Sequence, residues 1–176
     1  TSDGGHLLVG TSQSGLSGDK TEASRGDKDY WIVRIDANGT KLWDKRFGGS
    51  GHDLCKRALA TADGGFLLAG QSLSSANGDK TEASRGNWDY WAVKIDADGA
   101  KVWDRRFGGS LDEQGKDVIA TSDGGYLLGG LSISTADGDK TESSRGSWDY
   151  WVVKIDASGN KIWDKRFGGG GPDYCE

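Results

Sequence analysis

Methionine is absent from the 176 residues, proline occurs once and cysteine twice. One proline against 30 glycines, with no Gly-X-Y period, excludes collagen and proline-rich linkers. No apolar run approaches the ~18 residues of a membrane span, so no membrane crossing is expected. No charged-then-apolar leader opens the chain, so any targeting signal is expected outside this segment. The start at Thr1 and the missing Met point to a processed or excised piece. Basic stripes are lacking too: 22 Lys and Arg stand against 27 Asp and Glu for a net charge of −5, and the cations lie beside acids. A nucleic-acid partner needs a positive face and is not expected.

What is present is glycine, at more than twice the usual ~7%, eight tryptophans, and a repeat. TSDGGHLLVG at Thr1, TADGGFLLAG at Thr61 and TSDGGYLLGG at Thr121 set a period without insertion or deletion, which stops four residues short of three full units (1–60, 61–120, 121–176). The whole chain reads as one repeat domain. The copies are so alike that sameness alone does not mark function, and the varying positions say more. His6, Phe66 and Tyr126 share a position, as do Ile32, Ala92 and Val152, and Leu42, Val102 and Ile162. Most of these exchanges keep a flat or β-branched group while its size drifts, as packed strand positions do.

Turn signals cut each unit into four short strands. In the blade that runs from the end of the first unit into the second, His52 to Ala60 forms the first strand, and Asp63-Gly64-Gly65 reads as a hairpin turn. Phe66 to Ser72 forms the second, and a polar loop follows over 74–88. Asp89 to Ile95 carries apolar groups on both faces and is expected to be sandwiched. Asp96-Ala97-Asp98-Gly99 turns into Lys101 to Phe107, a half-exposed outer strand. The first unit opens just after its first strand, and 171–176 corresponds to 51–56, so the end of the chain supplies part of the strand that its start lacks.

Antiparallel units of this length, apolar on both sheet faces, match β-propeller blades, each burying its faces on its neighbours. The motifs Phe47-Gly48-Gly49, Asp63-Gly64-Gly65, Asp89-Tyr90-Trp91 and Lys94-Ile95-Asp96-Ala97, present with small changes in all three units, resemble the bacterial β-propeller repeats of secreted and surface proteins, especially Bacteroidota proteins with type IX secretion signals. The resemblance implies an all-β propeller, export to the cell surface or medium, and a role in adhesion or ligand contact. Such proteins carry a signal peptide and a sorting domain that these residues do not include, so export rests on the resemblance alone. Propellers close with roughly four to eight blades. Three blades therefore belong to a longer array, or to a homodimer in which two copies join head to tail into six blades. A β-trefoil also has twelve strands and is the alternative fold, although its Gln-x-Trp signature is absent.

The chemistry-bearing residues are few. His6 and His52 occupy different repeat positions, no nucleophile motif accompanies them, and no catalytic residue is expected. No Cys/His cluster has zinc spacing, and no cofactor is expected. Cys55 and Cys175 share a repeat position two blades apart, too far for a bond within one propeller, and read as buried free thiols. The loop Gly-Asp-Lys-Thr-Glu-x-Ser-Arg-Gly recurs at 18–26, 78–86 and 138–146. In one reading its charges knit blades together. In the other, Asp19 and Glu22, Asp79 and Glu82, or Asp139 and Glu142 take Ca²⁺, although the neighbouring Lys and Arg argue against it. Trp31, Trp91 and Trp151 are expected in the core, and Trp43, Trp103 and Trp163 between blades. Lys28, Trp88 and Trp148 sit where the polar loop ends. With Asp19, Arg25, Asp79, Arg85, Asp139 and Arg145 they form a candidate ligand surface, since an exposed Trp beside Asp and Arg stacks on sugars. The function expected is a non-catalytic extracellular scaffold or adhesion module; a glycan-binding lectin is the alternative, and a glycoside-processing enzyme the third.

Overall fold

A computed structural model describes residue 1 and residues 3–174. Eleven strands and no helix are present among them: β1 (His6–Ser12), β2 (Asp29–Ile35), β3 (Lys41–Phe47), β4 (Asp53–Ala60), β5 (Phe66–Ser72), β6 (Asp89–Ile95), β7 (Lys101–Phe107), β8 (Glu113–Ala120), β9 (Tyr126–Ser132), β10 (Asp149–Ile155) and β11 (Lys161–Phe167). They form three antiparallel meanders, β1-β2-β3, β4-β5-β6-β7 and β8-β9-β10-β11. Each meander keeps its own sheet, in place of the one barrel that trefoil units share, and the sheets are offset from the 60-residue units because β4 and β8 each pair with strands of the following unit.

Local chemistry sets the turns. Asp96 Oδ1 accepts the backbone N–H groups of Asp98 and Ala100 at 3.0 and 2.8 Å, while Gly99 takes a φ of 83°, which a side chain would strain. The Asp-x-Asp-Gly stretch is thus a hairpin turn. A β-bulge falls just before it, between Lys94 and Ile95, and another in β4 between Cys55 and Arg57.

The sheets stack face to face. Tyr30, Ile32 and Phe47 of the first sheet pack on Phe66, Leu68, Trp91, Val93 and Ile95 of the second. The opposite face of the second sheet (Leu67, Ala69, Tyr90, Ala92, Phe107) packs on Val118, Tyr126, Leu128, Trp151, Val153 and Ile155 of the third. Every residue of β5 and β6 is therefore buried, which explains why these two strands carry apolar groups on both faces. Along one edge of the stack β4 lies beside both β1 and β8, and Arg57 reaches Asp117 across it at 3.2 Å. Tyr30 donates its hydroxyl hydrogen to the Trp91 carbonyl, and Tyr90 to that of Trp151, both at 2.9 Å. One interface is built twice.

Candidate functional site

The recurring loop is a set of backbone and ion contacts. In the second unit the Lys80 ammonium, 3% exposed, donates to the Ser74 carbonyl at 3.1 Å and to Ser84 Oγ at 2.7 Å, and Ser84 Oγ donates to the Ser72 carbonyl at 2.9 Å. Burial lowers the Lys80 pKa to about 8 against the pull of Asp89. The loop is fastened outward by Asp104, whose carboxylate accepts Thr81 N–H at 2.9 Å, Trp91 Nε1 at 3.1 Å and Lys101 Nζ at 2.7 Å. Burial pushes against ionisation of Asp104, but the Lys101 contact and these hydrogen bonds win and hold its pKa down. Lys20 with Asp44, and Lys140 with Asp164, repeat the arrangement.

Two of the loop aspartates are spent between sheets, and the loop glutamates within their own. Asp79 accepts Arg25 at 3.0 Å and Arg46 at 2.7 Å from the first sheet, with Gly48 N–H at 3.2 Å. Asp139 takes Arg85 at 2.9 Å and Arg106 at 2.8 Å in the same way. Glu22 faces Arg46 N–H and Lys45, Glu82 faces Arg106, and Glu142 faces Lys165 and Arg166 N–H. The carboxylates considered for calcium thus sit against cations, apart from Asp19, and no three His, Cys, Asp or Glu among the described residues converge on a metal position. Asp19 stands exposed, and among the described residues only its backbone carbonyl is engaged, by Lys41. Arg145 is exposed too, its backbone N–H on Asp149 at 2.7 Å.

Lys28, Trp88 and Trp148 gather where each sheet hands over to the next first strand. Their carbonyls accept the N–H groups of Asp53, Glu113 and Asp173, each at 2.6 Å. Lys28 is exposed, Trp88 and Trp148 are half-buried, and Trp88 lies 6.2 Å from the His52 ring. The structure does not bring the three side chains to one point with the loop Asp and Arg groups, of which Arg25, Asp79, Arg85 and Asp139 serve the contacts between sheets while Asp19 and Arg145 stand exposed.

Sequence reasoning missed a buried acid pair. Asp89 and Glu113 are 0% exposed, and both reach the Cα of Gly108, where a Cβ would press on Asp89 and lie 2.8 Å from Glu113 Oε2. Glycine is required there by this approach. Burial pushes the Asp89 pKa up to about 7, with the Arg85 N–H and Arg106 opposing and Glu113 adding to the rise. Asp29 beside Asp53 is raised for the same reason. Asp29, Asp53, Asp89 and Asp149 each keep one buried oxygen without a hydrogen-bond partner. The available signal was the Asp before every Tyr-Trp. Sealed from solvent, the pair reaches no substrate. Cys55 is buried with its pKa pushed up to about 12 by desolvation, which makes it a poor nucleophile. Cys175 lies outside the described residues.

No protein-family model matches the chain. It is 22% identical over 173 residues to the regulatory protein FlaEY of Caulobacter vibrioides, a similarity covering 91% of this chain and 18% of that protein. The chain thus spans about a fifth of that relative's length. Among solved structures it is similar to a protein of unknown function from Bacteroides caccae, with a TM-score of 0.45, 14% identity, and coverage of 82% of this chain and 43% of the other. No helix among the described residues is long and apolar enough to cross a membrane.

Proposed function

We propose that the chain is an arc of a β-propeller of the bacterial secreted or cell-surface repeat kind, acting without catalysis as a scaffold or adhesion module. The observation that carries this reading is the interface built twice with the same residues, which uses the recurring loop charges for assembly. The regulatory name of the distant relative is in keeping with a module that acts by contact. Electron-microscopic class averages supply the test: sheets arranged radially about an axis are expected, and a compact particle without radial sheets sinks the reading.

Glycan binding is the second reading, favoured by half-buried Trp88 beside His52. Trp fluorescence titrated with soluble oligosaccharides tests it. If it holds, Trp88→Ala weakens binding without lowering the melting temperature; unchanged fluorescence across the sugars leaves the scaffold.

A further inference from the structure

The stack ends in two uncovered sheet faces, and each is one half of the interface already formed twice. On the third sheet Phe167 is 56% and Tyr150 38% exposed, where their counterparts Phe107 and Tyr90 are buried. On the first sheet Leu8 is 53% exposed and Trp31, Val33 and Ile35 are half-buried, where Leu68, Trp91, Val93 and Ile95 are wholly buried. We infer that the third-sheet face receives the first-sheet face of a second copy of this chain, and that two such contacts close a head-to-tail dimer of six sheets. This rests on the propeller reading and adds the partner and the contacts that select it.

Four features of the built interface have their halves waiting. Arg25 with Arg46, and Arg85 with Arg106, each clamp an aspartate of the next sheet; Arg145 and Arg166 hold the corresponding positions of the third sheet, and Asp19, on the first sheet's loop, makes no ion pair among the described residues. The partner's Asp19 pairs with these two arginines. Tyr30 and Tyr90 donate across to Trp91 and Trp151; Tyr150, now donating to the Tyr174 carbonyl at 2.6 Å, takes the carbonyl of the partner's Trp31.

Glycines give an independent sign. A Cβ at Gly70 or Gly130 would lie 2.8 or 2.7 Å from the hydroxyl of Tyr30 or Tyr90, whereas one at Gly10 would meet nothing within 4 Å. Likewise Gly99 and Gly159 lie against Trp43 and Trp103, Gly39 faces open space, and Trp163 is left exposed. Tyr150 and Trp163 thus fit the partner's Gly10 and the partner's Gly39. Finally, Asp173 is held as Asp53 and Glu113 are, through its N–H on the Trp148 carbonyl and its carboxylate on Gly169 N–H at 2.7 Å. In the pairing of β4 with β5, Asp53 faces Ser72 and Leu54 faces Gln71. The same register sets Asp173 and Tyr174 opposite the partner's Ser12 and the partner's Thr11, on the one sheet that lacks a first strand. Such contacts are heterologous and self-complementary only through closure.

Light scattering over a dilution series of the 18.7 kDa chain is the experiment. Wild type is expected at twice the chain mass. Gly10→Val, which meets open space within one chain, and Asp19→Arg or Arg145→Asp should each weaken dimerisation on the order of tenfold or more with unchanged circular dichroism. Mixing the Asp19→Arg and Arg145→Asp chains should restore the dimer, because one contact is then native and the other reversed in charge. A mass that stays at one chain, a Gly10→Val dimer as tight as wild type, or a mass growing past two chains overturns the closed dimer. Hydrogen exchange separates the two ideas: a monomer that still protects β5 and β6 defeats the docking alone, and loss of that protection defeats the propeller reading as well.

Discussion

Asp89 and Asp104 both lie in the second unit, yet they respond to pH in opposite senses. The Asp89 pKa is raised from 3.8 to about 7, so the folded chain binds more protons than the unfolded one between these values. Its contribution is present at acidic pH and is lost as pH rises through about 7. Asp104, held low, contributes above its unfolded pKa and loses that contribution in acid. Lys80, lowered to about 8 from 10.5, disfavours folding while charged and relents above pH 8. Urea unfolding should accordingly show greater stability at pH 5 than at pH 7.5, and Asp89→Asn should shrink that difference, the groups facing Asp89 being Arg106, Glu113 and Lys80. A second expectation concerns packing. Gly130→Ala presses on the Tyr90 hydroxyl and the Gln114 carbonyl and should cost about 1–3 kcal/mol. Gly10→Ala, at concentrations where chains are monomeric, should stay within about 0.5 kcal/mol; chemical denaturation compares the two.

At the level of elements, the loop over 74–88 has little apolar anchorage and depends on the Lys80 ammonium. Lys80→Met should raise amide exchange across this loop while β5 and β6 keep their protection, as read by mass spectrometry. The strands were legible in the sequence because turn glycines and aspartates bound them: Phe66–Ser72, Asp89–Ile95 and Lys101–Phe107 stand where the pattern placed them, and β4 begins one residue later than His52. The bulge between Cys55 and Arg57 left no local signal. That the loop charges knit neighbouring blades was one of the two readings open in the sequence, but their partners were not legible, because Asp79 finds Arg25 and Arg46 of the preceding sheet and its loop, and spacing along one unit does not report a contact between units. The acid pair escaped for a similar reason, since Asp89 sits at the start of β6 and Glu113 at the start of β8.

For the whole molecule, burial is shared between neighbours and no unit owns a core. Residues 48–107, cut out alone, would expose both Leu67-Ala92 and Leu68-Trp91 faces, so circular dichroism in urea should show no cooperative transition for that piece. The twice-built interface carries a further consequence. Because matching residues join the first sheet to the second and the second to the third, nothing in the contact counts how many sheets precede it. A gain or loss of one 60-residue unit by unequal recombination between near-identical stretches of the gene would leave every junction chemically intact. Were the proposed ring to close, closure alone would reject the wrong length, and curvature rather than affinity would be the property on which copy number is selected.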